Sequence, residues 1–335
     1  MEARNKKLNN RYLLKDILLT PFKMRYMFIW FFVCIFTVFS VISPVFRMMS
    51  NLLDILRISA IGSLLFLGLT CVVAAGEIDL SFPEVAAFTS VSIAYLFQRG
   101  INIGIAVLIS FILGVMFGVL NGGLVSYVKL PSFITTIATG GMAKAIASIL
   151  AKGKPIYVDS GSVINKMVFG YIFKMPILFL IVLVIYIFIK YIQDSTTIGQ
   201  YIYAIGENRK ASKAAGINEK KIIITVYILT AFMASLAGIF LTGLLSSGQP
   251  EIGYAYLLDG LLAVFFGALI IKDRKPNVIG TIIAVIILGV LVNGFTLLGI
   301  PYYMAEIAKG SLLIIGVLII FIRKNNHKVL DKKNK

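Results

Sequence analysis

Ile282 to Phe295 reads IIAVIILGVLVNGF, a run that is apolar on every face and shows no alternation between one residue and the next. A strand of a membrane barrel alternates lipid-facing and lumen-facing residues, whereas a helix satisfies all its backbone groups within itself, so this stretch is read as a transmembrane helix. Residues 28–46, FIWFFVCIFTVFSVISPVF, read the same way. Working outward at roughly 20 mostly apolar residues per crossing, the chain offers spans at 26–46, 57–75, 83–98, 103–127, 132–151, 176–193, 222–245, 255–271, 277–297 and 304–322. Ten helices are predicted, making an all-α polytopic membrane protein. The composition agrees: of 335 residues 59% are hydrophobic and 14% charged, with a mean hydropathy of +0.94, a balance no water-soluble domain has.

A net charge of +17 would suggest nucleic acid in a soluble protein, but the placement of the basic residues gives another reason for it. With the N-terminus in the cytoplasm, 23 Lys and Arg fall on that side and seven outside, leaving Lys144 and Lys309 within spans. This is the positive-inside asymmetry; it sets both termini in the cytoplasm and adds attraction to anionic membrane lipid. No nucleic-acid partner is needed. The chain divides into a basic N-terminus (1–25), one transmembrane domain (26–322) and a basic tail (323–335). The N-terminus lacks an A-x-A cleavage pattern and is read as leading into an uncleaved first span.

Catalytic chemistry has little to work with. There is no G-x-x-x-x-G-K-[ST] phosphate loop, His327 is the single histidine, and Cys34 and Cys71 lie inside apolar spans. The chain is read as a non-enzyme that holds no cofactor and no metal. Ionisable residues inside the spans remain: Glu77, Asp79, Glu84, Lys144, Asp259, and Glu306 with Lys309, the last two spaced three apart as an ion pair on one helix. The stretch GEIDLSFPEV (76–85) interrupts an apolar region. It is either broken backbone lining a wet cavity or a tight cytoplasmic turn.

Two further patterns concern architecture. Gly114, Gly118 and Gly122 form a small-residue face suited to close helix approach. GVLNGGLVSYVKLP (118–131) and GVLVNGFTLLGIP (289–301) both run helix, Asn-Gly, apolar stretch, proline, and their predicted spans run in opposite directions. An inverted repeat is therefore expected, with Asn121 and Asn293 as equivalent groups near its interface. The one long polar interruption is TIGQYIYAIGENRKASKAAGINEKK (197–221), within a loop set at 194–221. A short helix presenting Ala211, Ala214 and Ala215 and ended by Gly216 in a left-handed cap would fit a groove on another protein.

Over nearly its whole length the chain resembles the permease subunit of ABC-type simple-sugar importers, the ribose-permease-like group. The resemblance rests on GEIDLS at 76–81; Asn121 to Val125; Pro131, Phe133, Ile134, Thr136 and Thr139; Thr197, Gly199, Gln200, Ala204, Gly206, Asn208 and Ala211, ending in Gly216-Ile217; SLAGI at 235–239; and SSGQP at 246–250. It implies a permease of the cell membrane that pairs with a second copy or a sibling. It also implies separate cytoplasmic ATPase subunits that bind ATP and Mg, and a sugar-binding protein outside that delivers the cargo. Residues 210–216, KASKAAG, look like a degenerate form of the family's coupling segment, with Glu207, Asn208, Arg209, Ala211, Ala214, Ala215, Gly216 and Ile217 meeting the ATPase. A neutral sugar needs hydrogen-bonding groups along its route, for which Asp79, Ser81, Asn121, Thr139 and Asn293 are the candidates. The chain departs from the family at 267–275, where a glycine-rich turn is charged, and at Glu77, Pro83 and Glu84, where small residues are usual. The rival reading is a secondary transporter driven by an ion gradient, with no ATPase.

Overall fold

A computed structural model describes residues 24–159, 161–271, 275–315 and 318. Most of the basic N-terminus, the tail with His327, and Lys272 to Arg274 lie outside the described residues. The helices in chain order are α1 (Met24–Ile42), α2 (Met49–Ala74), α3 (Phe82–Gln98), α4 (Ile103–Gly123), α5 (Ser132–Ala151), α6 (Val163–Phe169), α7 (Ile177–Ser195), α8 (Thr197–Glu207), α9 (Arg209–Ala214), α10 (Glu219–Leu245), α11 (Tyr254–Ile270), α12 (Val278–Leu297) and α13 (302–315). Helix α4 runs on through a π-helical turn, Leu124–Val128, and stops at Lys129, whose φ is +66°. Among the described residues six helices are long and apolar enough to cross a bilayer: α2, α4 with its π turn, α5, α7, α10 and α12. Helices α1, α3, α11 and α13 overlie the other four predicted spans and are shorter or described only in part.

The all-α expectation missed two small antiparallel ladders. Strand β1 (Ile156–Tyr157) pairs with β4 (Ser247–Gly248), and β2 (Tyr171–Ile172) pairs with β3 (Met175–Pro176). The β2–β3 turn places Phe173 and Lys174 at positive φ, the geometry a two-residue hairpin requires. Two-residue strands leave no periodicity to read.

Helix α10 is the hub, packed against α2, α3 and α4. The glycine face of α4 is the seam. A Cβ built on Gly114 would lie 2.2 Å from Ser235 Oγ, one on Gly118 2.5 Å from the Tyr227 carbonyl, and one on Gly122 2.8 Å from Ile224 Cα. As the α4 numbers rise the α10 numbers fall, so the two helices are antiparallel. On the other side Gly68 of α2 lies against Thr230, where a Cβ would come within 2.6 Å of Cα. Between α2 and α12 the Thr70 and Thr281 hydroxyls meet at 2.8 Å.

Two breaks position the site. After α2 the chain turns at Gly76 (φ +78°) and runs extended to Ser81, climbing α5. The Ile78 amide donates to Ser132 Oγ at 3.3 Å, the Leu80 amide to Thr136 Oγ1 at 3.0 Å, and Ser81 lies against Gly140. From Ser132 to Gly140 at about 1.5 Å per residue is a climb of about 12 Å. Helix α3 thus begins inside the bundle. After α10 the chain turns at Ser246 (φ +48°) and runs past α3 the other way, from Gly248 beside Val91 to Gly253 beside Pro83. Helix α11 therefore starts next to the start of α3, and Phe82, Phe66 and Tyr256 pack together there. The two halves match in build: helices of 26 and 27 residues, a break, then helices of 17 and 17 residues.

Candidate functional site

At the first break four of the five expected pathway residues form one hydrogen-bonded chain. Asp79 Oδ1 accepts from the Ser81 amide (2.8 Å) and from the Ser81 hydroxyl (2.6 Å). Ser81 Oγ accepts from Asn121 Nδ2 (2.8 Å), and Asn121 Oδ1 accepts from the Thr139 hydroxyl (2.6 Å). All four side chains are buried. The chain ties the start of α3 to α4 and α5, and its bonds are mutual. GEIDLS is broken backbone in which Glu77, Asp79 and Ser81 are buried and Gly76 and Ile78 are exposed, with the Ile78 carbonyl taken by the Tyr227 hydroxyl (3.1 Å) and the amides of Ile78 and Leu80 by α5 side chains. Buried backbone demands such partners.

Asn293 is placed elsewhere. Its amide exchanges two hydrogen bonds with Asn51 of α2, at 3.0 and 2.9 Å, and makes no contact with the Asn121 group. Nothing in the sequence singled out Asn51. Lys309 bonds not only Glu306 (3.0 Å), as its spacing suggested, but also Asp259 on α11 (2.8 Å), which makes it the bridge between α11 and α13. Among the described residues no group of three His, Cys, Asp or Glu side chains could hold a metal ion.

The polar interruption is two helices. Helix α8 is capped by Thr196 and buries Gly199, Ile202 and Ile205; a Cβ on Gly199 would lie 2.2 Å from the Gln193 carbonyl. Helix α9 is capped by Asn208, whose side chain accepts from the Ala211 amide at 3.1 Å. It ends as its sequence predicts. Gly216 sits at φ +79°, its amide donates to the Lys213 carbonyl (3.1 Å), and the Ile217 amide donates to the Ser212 carbonyl (3.1 Å), the paired bonds of a Schellman cap. Ala211, Ala214, Ala215 and Gly216 are exposed, Ile217 is half-buried, and Ser212 faces the bundle.

This segment is fastened to both halves of the molecule. A Cβ on Gly206 would lie 2.1 Å from the Ala74 carbonyl at the end of α2. Arg209 pairs with Glu77 and, at 3.7 Å, with Glu219, which also meets Lys129 at 3.8 Å. Toward the other half, Glu207 pairs with Lys275 at 2.6 Å, and the Tyr203 hydroxyl donates to the Pro276 carbonyl at 2.7 Å. Burial pushes the Tyr203 phenol well above its ordinary range, so it stays a donor at any physiological pH. Arg209, which the resemblance implies meets the ATPase, has 44% of its side chain exposed while it also pairs with Glu77. Glu77 and Arg209 are separated by 132 residues, and no local pattern joins them.

Apolar helices around two mid-bundle breaks, with a polar segment anchored beneath both, define a membrane transport protein with several spans. The chain belongs to the family described as the permease component of the branched-chain amino acid transport system, whose profile matches residues 51–322. It is 32% identical over 289 residues to the ribose import permease protein of Haemophilus influenzae, covering 85% of this chain and 90% of that one. Against the ribose import permease protein of Escherichia coli the identity is 33% over 285 residues, with 84% and 88% covered. Against the autoinducer 2 import system permease protein LsrD of Photorhabdus luminescens it is 27% over 276 residues, with 79% and 81% covered. No solved structure matches the chain. It is a multi-pass permease of the cell membrane.

Proposed function

We propose that the chain is the membrane-spanning subunit of an ATP-driven importer that carries a monosaccharide, ribose or a related sugar, delivered by an extracytoplasmic binding protein. The observation that carries this reading is α9. A capped helix and the residue after it offer three exposed alanines to the solvent, while Arg209 ties it to Glu77 and the preceding α8 is held at the end of α2 and at the stretch leading into α12, the form expected of a part that another protein must grip and move. ATP and Mg belong to that partner, a cytoplasmic ATPase. The sugar rests on the likeness to the ribose import permeases, with the likeness to an autoinducer 2 permease pointing to a second kind of cargo.

In this reading there are ten spans with both termini in the cytoplasm. Helices α2, α3 and α4, starting at 49, 82 and 103, and helices α10, α11 and α12, starting at 219, 254 and 278, are inverted repeats. Support comes from their near-equal lengths, the antiparallel α2 and α10, and the two breaks that enter from opposite ends. Helix α5 leaves Phe133, Ile134, Ile137 and Ile149 exposed, an apolar face for a second permease copy or sibling and for lipid. When the ATPase subunits close on ATP, α8 and α9 move with them and the breaks shift the route outward; hydrolysis returns it. Asp79, Ser81, Asn121 and Thr139 hold the inner break, and Asn293 contributes through helix packing. The alternative, an ion-coupled transporter, is separated by one experiment. Uptake of labelled D-ribose into vesicles should require internal ATP and the binding protein and survive an ionophore that collapses ion gradients; uptake lost to the ionophore with ATP present would overturn the reading.

A further inference from the structure

Glu77 is a carboxylate with 7% of its side chain exposed, at the foot of the extended stretch that leads to Asp79 and Ser81. Its cation is Arg209, the first residue of α9. Arg209 is backed by Glu219 at the start of α10, and Glu219 by Lys129 at the end of the π turn of α4, so charges alternate in sign across four cytoplasmic ends. Beside the pair, Gly76 and Gly206 bring the two backbones together; a Cβ on Gly76 would lie 3.3 Å from Gly206 Cα. From Glu77 the chain runs without helix to Ser81, four residues on, and to the hydrogen bonds with Asn121 and Thr139.

We propose that the Glu77–Arg209 ion pair is the linkage by which motion of α9 is passed to the inner break, which makes Glu77 a positioning residue for the Asp79–Ser81–Asn121–Thr139 chain. The inference rests on the reading that α8 and α9 dock an ATPase. Its physical basis is the asymmetry of buried charge. Withdrawing α9 alone would leave the Glu77 carboxylate buried without its cation, a state far less favourable than moving residues 76–81 along with α9. The stretch is only four residues long and its Asp79–Ser81 bonds hold its far end together, so the displacement reaches Ser81 directly. Sequence relatives that carry a small residue at this position would lack the ionic part of the link and rely on the Gly206 contact.

The test uses the full-length chain with its co-purifying ATPase in lipid nanodiscs, with Cys34→Ser and Ile78→Cys introduced; Ile78 is 37% exposed and lies within the moving stretch. The rate of labelling by a charged methanethiosulfonate reagent is measured with and without ATP and vanadate. With Glu77 and Arg209 intact, trapping should change that rate at least about threefold. Glu77→Gln should retain the ATPase and its hydrolysis but abolish the change, and Glu77→Asp should restore most of it. A change of full size in Glu77→Gln, or none restored by Glu77→Asp, overturns the linkage. Absence of an ATPase from the unsubstituted complex overturns the docking reading itself, and the inference with it.

Discussion

The seam between α4 and α10 can be tested with two substitutions five residues apart on one helix. Gly118 has no room: a Cβ there would stand 2.5 Å from the Tyr227 carbonyl, 2.7 Å from Ala231 Cβ and 2.9 Å from Ile228 Cα, whereas ordinary contact begins at 3.4 Å. For Cβ alone the helices must part by about 0.9 Å, and Gly118→Leu adds three more carbons; the upper end of overpacking costs, about 3 kcal/mol, is expected. At Gly123 nothing lies within 4 Å, so Gly123→Leu meets open space and gains up to about 1 kcal/mol of helix propensity. At about 2.1 cal/mol/K of unfolding entropy per residue, the difference of about 4 kcal/mol corresponds to roughly 6 °C in melting temperature for a chain of this size. Both variants are solubilised in the same mild detergent, heated in steps, and scored by the monodisperse peak that survives on size exclusion. Gly118→Leu melting with the unsubstituted protein would refute the claim that α4 and α10 meet backbone to backbone.

Asn121→Leu leaves the Ser81 and Thr139 hydroxyls short of a partner, an expected loss of about 1–3 kcal/mol, and should reduce D-ribose uptake at least tenfold while the ATPase still co-purifies; near-normal uptake would remove Asn121 from the route. Asn293→Leu should cost about 0.6–1.7 kcal/mol by stranding Asn51, with the double variant Asn51→Leu/Asn293→Leu recovering part of it in the same melting assay; no recovery would mean the two amides do not act as a pair. Lys309→Met strands the carboxylate of Asp259 and should cost about 3–5 kcal/mol, relieved by adding Asp259→Asn, so equal stability of single and double variants would speak against the bridge.

What could be read from sequence was what local chemistry dictates. The spans follow from apolar runs and bilayer thickness, the glycine seam from a repeat of four, and the end of α9 from the one residue type that enters φ +79° without strain. Asp79, Ser81, Asn121 and Thr139 were named as candidate sugar contacts, but their hydrogen bonding to one another was not foreseen. Distant pairings were not legible, because nothing near Glu77 names Arg209 and nothing near Asn293 names Asn51. Asn121 and Asn293 share an Asn-Gly pattern in sequence, but Asn121 hydrogen-bonds Ser81 at a break and Asn293 hydrogen-bonds Asn51 on an unbroken helix. The depth at which α3 and α11 begin was also hidden, since an extended stretch that climbs inside the bundle has the same sequence as one that turns at its surface.

The most direct test of the account is to purify the full-length chain by a C-terminal tag from its own cell membrane and identify what comes with it. The account predicts an ATPase subunit bearing a phosphate-binding loop in stoichiometric amount, lost when the exposed α9 face is blocked by Ala214→Arg while membrane insertion is unchanged. Sugar uptake at the normal rate by membranes in which the chain has no such partner would contradict it.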